Sequence, residues 1–176
     1  MENLTREKLE AFLVELGRRY PRAAQLYLIG GSALILLGSP RPTLDVDYVG
    51  DDLRKDEFQR IIDEVARDMH IEVDAVPIGG FIPLSGYAQE RNLDMGRFGN
   101  LHVYVFDPYA IALSKVDRGF DTDIEDILFL IRRGDVDLQE LELLVYAALE
   151  QADEFALDSQ AMIKHWQVVR RLGSSF

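Results

Sequence analysis

The residue pattern predicts an α/β (α+β) fold that ends in a helical tail, and three observations support this. Short apolar or alternating runs at 26–29, 44–49 and 71–76 are separated by segments with helical periodicity. Two further strand-like stretches follow at about 91–98 and 101–106. From Pro108 onward every segment has the spacing of a helix.

Taken in order, residues 4–19 place Leu4, Leu9, Phe12, Leu13 and Leu16 on one helical face, and Pro21 ends the helix. Leu26-Tyr27-Leu28-Ile29 is an apolar strand that runs directly into Gly30-Gly31-Ser32. A short buried helix, Ala33 to Leu37, stops at Gly38 and Pro40. Leu44-Asp45-Val46-Asp47-Tyr48-Val49 alternates with period two, which puts both aspartates on one face and the apolar residues on the other. Asp51 or Asp52 is the expected cap of a helix over about 53–69, with Phe58, Ile61, Ile62 and Val65 on its core face. Ile71 to Val76 is the third strand. The run 77–90 holds Pro77, Gly79, Gly80, Pro83 and Gly86 and reads as a loop. Phe98-Gly99-Asn100 is the turn between the last two strands. Helices are expected at about 108–117, 123–133, 137–152 and 157–171, with Gly134 stopping the second. No linker interrupts the chain, so one domain over 1–176 is expected: an α/β core to about 106, and a tail from about 107 packed on it.

Composition narrows the class. A content of 48% hydrophobic and 28% charged residues suits a soluble globular protein. No apolar run approaches the roughly 20 residues a bilayer span requires. The opening Met1-Glu2-Asn3-Leu4-Thr5-Arg6 lacks a basic stretch leading into an apolar one, so a secretory signal is not expected and a cytoplasmic location is. Cysteine is absent, which excludes disulfides, zinc–thiolate sites and a cysteine nucleophile. A net charge of -12 argues against a broad nucleic-acid-binding surface, although a cleft that gathers divalent cations is compatible with it. The arginine clusters Arg18/Arg19/Arg22, Arg132/Arg133 and Arg170/Arg171 read as solvated helix ends.

The acid pair gains its meaning from context. With 31 acidic residues in 176, chance alone gives about five pairs spaced two apart. This pair, however, lies on a strand shortly after a strand–Gly-Gly-Ser–helix turn, and the next strand offers Asp74, or Glu72 two positions earlier. Carboxylates gathered on adjacent strands repel unless a cation sits among them, and hard oxygen ligands suit magnesium or manganese better than zinc. Gly30-Gly31-Ser32 lets the backbone and the Ser32 hydroxyl approach a phosphate at a helix start. It has neither the Gly-Lys-Ser/Thr of a P-loop nor the third glycine of a dinucleotide fingerprint.

Leu28-Ile29-Gly30-Gly31-Ser32-Ala33, followed by Arg41-Pro42-Thr43-Leu44-Asp45-Val46-Asp47, resembles the signature of the polymerase-beta nucleotidyltransferase superfamily. The Arg-x-Thr-x-Asp-x-Asp form is similar to its minimal branch, which holds AbiEii-type and DUF6036 proteins and several toxins of bacterial toxin–antitoxin pairs. Phe81-Ile82-Pro83-Leu84 with Tyr87 and Arg91 resembles the loop after the third acidic strand. Ala112 to Arg118 and Asp123 to Ile127 resemble the family's Lys-x-x-Arg and Asp-x-x-Asp helical segments.

The resemblance implies a mixed-sheet polymerase-beta-type core with C-terminal helices, transferring a nucleoside monophosphate from an NTP to a hydroxyl on RNA (tRNA among them) or protein. It implies that Asp45 and Asp47 ligate Mg2+ (or Mn2+), and that Asp74 completes a metal site and helps deprotonate the acceptor. Gly30, Gly31 and Ser32, with Arg41 and Thr43, would hold the nucleotide. Lys115, in an exposed ion pair, would reach a phosphate or orient a carboxylate, and Asp126 would support Lys115 or the acceptor. An antitoxin is the implied partner, and no membrane is. The residues by themselves leave a structural pairing of Lys115 with Asp117 or Asp126 open. The alternative function is a catalytically degenerate nucleotidyltransferase-like binding module. His70, His102 and His165 have no metal-ligand spacing, and Trp166 reads as core. Tyr104 and Phe106 fit a strand without any base-stacking role, whereas Tyr87 in the loop offers a ring to a nucleobase.

Overall fold

The computed structural model describes residues 2–176, which form two compact units. The first runs from the N-terminus to Ile78 and takes in Asn92–Phe106; the second comprises Gly79–Arg91 and Asp107–Phe176.

The first unit is built on a five-stranded mixed sheet among the described residues. Helix α1 (Arg6–Arg19) starts where the Thr5 side chain accepts the Lys8 N–H, so Leu4 is left outside it. Leu4 instead bridges Thr43, its N–H donating to the Thr43 carbonyl at 2.8 Å, which ties down the loop before the acid-bearing strand. Then come β1 (Ala24–Ile29), α2 (Gly30–Leu36), β2 (Asp45–Val49), α3 (Glu57–Met69), β3 (Glu72–Val76), β4 (Leu93–Phe98) and β5 (Leu101–Val105). The spatial order is β3-β2-β1-β5-β4. β1 is antiparallel to β2 and parallel to β5, β2 is parallel to β3, and β4 is antiparallel to β5.

Period-two alternation sorts these strands into two faces. Leu26, Leu28, Val46, Tyr48, Leu101, Val103 and Val105 are buried, as are Leu9, Phe12, Leu13 and Leu16 of α1 and Ile62 and Val65 of α3. The other face carries Gln25, Tyr27, Asp45, Asp47, Glu72, Asp74, His102 and Tyr104, all exposed or half-buried. The expected cap of α3 moves. Asp56 is the cap, in a reciprocal box with Gln59: its carboxylate takes the Gln59 N–H at 2.8 Å, and Gln59 Oε1 takes the Asp56 N–H at 3.3 Å. Asp51 closes a local turn onto the Leu53 N–H, so the chain stays a loop where helix was expected.

The loop expected over 77–90, which begins in the first unit and continues in the second, contains single 3-10 turns at Ile78–Gly80 and Ala88–Arg91. Helices α4 (Pro108–Arg118), α5 (Asp121–Arg133), α6 (Leu138–Glu150), α7 (Ala152–Phe155) and α8 (Ser159–Gly173) follow. The segment expected as one helix over 137–152 ends at Glu150, with Gln151 capping the next turn. Gly134 closes α5 with φ 81°. Val116, Ile127, Leu130, Leu141, Val145, Met162, Trp166 and Val169 are the buried residues of this bundle. No helix of the described residues is long and apolar enough to cross a membrane.

Asp107 starts α4, accepting the Tyr109 N–H at 3.0 Å, yet is only 1% exposed. Burial pushes its carboxyl up to about 6, against the opposing pull of the Tyr109 N–H and of Arg91. A carboxyl raised in the folded state stabilises the fold most below its unfolded value, and that stabilisation is lost as pH rises through about 6. The ionised group then costs about 3 kcal/mol. Asp107→Asn keeps the capping oxygen and removes the charge. Its stability relative to wild type should therefore climb by that amount between pH 4 and pH 7 in urea titrations. A constant difference across this range would refute the shift.

Candidate functional site

The turn from β1 into α2 delivers the chain to the acid-bearing strand. Gly30 has φ +62°, and a side chain there would collide with the Asp47 carboxylate. A Cβ on Gly31 would stand 2.5 Å from Thr43 Oγ1, whose hydroxyl donates to Asp45 Oδ1 at 3.4 Å. The two glycines thus make room for the two aspartates, Gly30 directly and Gly31 through Thr43.

Ser32 does something other than expected. It is fully buried, and its hydroxyl accepts the Asp47 N–H at 3.2 Å while lying 3.0 Å from the Ile29 carbonyl and 3.3 Å from the Asp47 carbonyl. A hydroxyl so engaged has no hydrogen left for a phosphate. Ser32 clamps β2 against the start of α2 and so fixes the backbone that carries Asp47.

The registers Asp45↔Glu72 and Asp47↔Asp74 align the acidic residues of β2 and β3. Asp45, Asp47 and Asp74 each bring one carboxylate oxygen within 4.8 Å of the other two, in the one such acidic group among the described residues. Glu72 lies outside that group. Asp45 and Asp47 are half-buried and Asp74 is exposed. Oxygens around one octahedral magnesium at about 2.1 Å stand about 3.0–4.2 Å apart, and two ions about 3.5–4 Å apart span more. The three carboxylates fit this donor set, the exposed Asp74 being free to close the remaining gap. Arg41 is half-buried in the loop before β2, its backbone N–H donating to Ser39 Oγ at 3.3 Å.

Gly30→Ala should lower stability by about 1–2 kcal/mol for the left-handed backbone alone. It should also blunt any stabilisation by Mn2+, because the methyl displaces the Asp47 carboxylate. Melting curves with and without Mn2+ test both; an unchanged Mn2+ response would separate Gly30 from the site.

Lys115 was expected at an exposed position, and the structure overturns that. It is 3% exposed in the second unit, donating to Asp126 Oδ2 at 2.8 Å and Asp123 Oδ1 at 3.3 Å. Arg118 also grips Asp123 through Nε at 2.8 Å and Nη2 at 2.5 Å, and the Phe120 N–H donates to the same carboxylate at 3.2 Å. Burial alone would raise the Asp123 pKa, but the Arg118 bond and the Lys115 charge outweigh it and hold the group below the usual carboxylate value. Asp123 is the member that sequence reasoning missed; its place at the third position of α5, where a carboxylate can cap, was the available signal.

A family model described as a nucleotidyltransferase of unknown function (DUF6036) matches residues 7–171. Comparison with curated proteins and with solved structures finds no match. Because that match runs from α1 through the acid-bearing strands into α8, the chain belongs to this nucleotidyltransferase family.

Proposed function

We propose that the protein moves a nucleoside monophosphate from an NTP to a hydroxyl of an acceptor, RNA in first place and protein in second. The observation that carries this reading is the convergence of Asp45, Asp47 and Asp74 beside the Gly30-Gly31 turn. Asp45 and Asp47 would hold divalent magnesium or manganese, with Asp74 as the third ligand. Such ions supply charge stabilisation to the attacking and leaving oxygens of an in-line displacement. Asp74, the exposed member, accepts the proton of the attacking hydroxyl. That oxygen forms its bond to the α-phosphorus as the bond to the bridging oxygen breaks and pyrophosphate departs. The Gly30 and Gly31 backbone, with Arg41 nearby in sequence, holds the phosphates. The Thr43 and Ser32 hydroxyls position Asp45 and Asp47.

Lys115 and Asp126 fall to the frame of the helical unit in this reading, since both are spent on a buried ion pair. The proposal extends to a toxin role. It requires that expression of the protein alone arrest growth, and that Asp45→Asn abolish the arrest.

The direct test incubates the protein with each α-labelled NTP, Mg2+ or Mn2+, and total RNA and protein. Label in RNA with one NTP supports the reading, and label in protein moves the acceptor to the second class. Metal-dependent NTP binding with no label in either fraction would favour the degenerate binding module.

A further inference from the structure

The sheet face that carries the acid triad continues, within the same unit, into a stack of rings. Tyr27 and Tyr104 are cross-strand partners on β1 and β5, with centroids 5.2 Å apart and planes at 17°. Tyr104 stacks in turn on His102, with centroids 4.4 Å apart and planes at 27°. Hydrogen bonds hold the stack: the Tyr27 hydroxyl donates to Gln25 Oε1 at 2.8 Å, and the Tyr104 hydroxyl lies 3.0 Å from His102 Nδ1. His102 Nε2 lies 2.8 Å from Asp94 Oδ1. Because a carboxylate only accepts, Nε2 is the donor there, and in the neutral ring Nδ1 is left to take the Tyr104 proton. The His102 bond, followed by the Gly96 N–H, keeps Asp94 below the usual carboxylate range.

The three-ring stack ends at a groove of about 430 Å³ lined by Ala23, Ala24, Gln25, Arg97, Asn100 and His102. Arg97 and Gln25 flank His102 in register on β4 and β1. With both ring nitrogens of His102 engaged, the groove offers the face of its imidazole, the Arg97 guanidinium and the amides of Gln25 and Asn100 around an opening of ligand size. This combination suits a flat, polar-edged aromatic ligand. We propose that the groove binds a nucleobase, stacked on the Tyr27–Tyr104–His102 column, and that the base belongs to a single-stranded RNA acceptor.

The choice of source rests on distance and on the nucleotidyl-transfer reading above. Asp47 pairs with Ile29 and His102 with Gln25, so the groove is four residues along and two strands across from the carboxylates. That is roughly 16 Å at ordinary strand spacings, a separation suited to a strand of several nucleotides that has its reacting end at the triad. Stacking of this kind is sequence-tolerant and holds single strands together with basic groups that meet the backbone, a part that Arg97 can take at this groove.

The test is fluorescence anisotropy with a labelled octaadenylate at low salt, without NTP, alongside ATP binding by calorimetry in Mn2+. The oligonucleotide measurement needs no turnover, so it stands apart from the success or failure of the transfer assay. His102→Leu and the exposed Arg97→Ala should each weaken octaadenylate binding by roughly 5- to 150-fold, with ATP binding unchanged. His102→Phe should restore most of the loss, as only a stacking role allows. Arg97, outside the ring stack, guards against a variant that misfolds. Three results would overturn the proposal: no binding of octaadenylate by wild type, no loss in either variant, or no rescue by phenylalanine. A loss confined to ATP would overturn the acceptor assignment and give the base to the NTP.

Discussion

Asp47→Asn is expected to reduce nucleotidyl transfer by on the order of 1000-fold while leaving the metal-free fold at least as stable as wild type. The two effects share one cause. Three carboxylates with oxygens within 4.8 Å repel one another, so removing one charge relieves the fold in the absence of a cation. With Asp47 and Asp74 in register and the site open to solvent, that relief is about 1 kcal/mol. In the proposed site the same charge would gather the ions. Wild type should gain about 2.7 kcal/mol from Mn2+ at a hundred times its dissociation constant, a rise of about 5–10 °C in Tm for a chain of this size. Asp47→Asn should show little of that rise. Differential scanning fluorimetry over a Mn2+ series, paired with the labelled-NTP assay, measures both. A variant that keeps the full Mn2+ shift would remove Asp47 from the metal site, and one that melts far below wild type without metal would make it a structural residue.

Lys115→Ala should destabilise the protein by about 3–5 kcal/mol, the usual cost of stripping one partner from a buried ion pair. Lys115 sits between Asp123 and Asp126, none of them more than 3% exposed. Arg118 continues to neutralise Asp123, which leaves Asp126 as the group that suffers. Replacing both partners, as Lys115→Met with Asp126→Leu, removes the buried carboxylate together with its lysine and should recover most of the stability. Urea denaturation of the single and double variants gives the comparison. The double variant also settles the chemistry: transfer that persists in a folded Lys115→Met/Asp126→Leu protein keeps the pair in the frame, while a folded protein without transfer returns Lys115 to the phosphate.

The elements that bear the site could be read locally. Period two in Leu44–Val49 puts Asp45 and Asp47 on one face whatever the partner strands are, and glycines between a strand and a helix mark a close approach wherever the helix lies. The same local logic placed the strand ahead of Gly30 and the stop at Gly134. It misplaced the α3 cap because Asp51, Asp52 and Asp56 are alike in composition. Asp56 wins only because Gln59 stands three residues later to reciprocate, while Asp51 turns onto Leu53.

What the chain alone could not decide is which residues become neighbours. Choosing Asp74 over Glu72 depends on the parallel register of β2 and β3, which sets Asp74 across from Asp47 and Glu72 across from Asp45; burial of Val46 and Tyr48 fixes the face but not this two-residue step. Engagement of the Ser32 hydroxyl by Asp47 requires β2 to lie beside the start of α2. The exposure of Lys115 could not be read from its helix position, because α5 folds back to place Asp123 and Asp126 around it. Tyr27 and Tyr104 are 77 residues apart in the numbering and read as ordinary strand residues until β5 takes its place next to β1. Hydrophobic periodicity is a local property and determines which way each side chain faces. Strand order is settled by burial of the shared apolar face, a free energy that exists only once the distant segments have met.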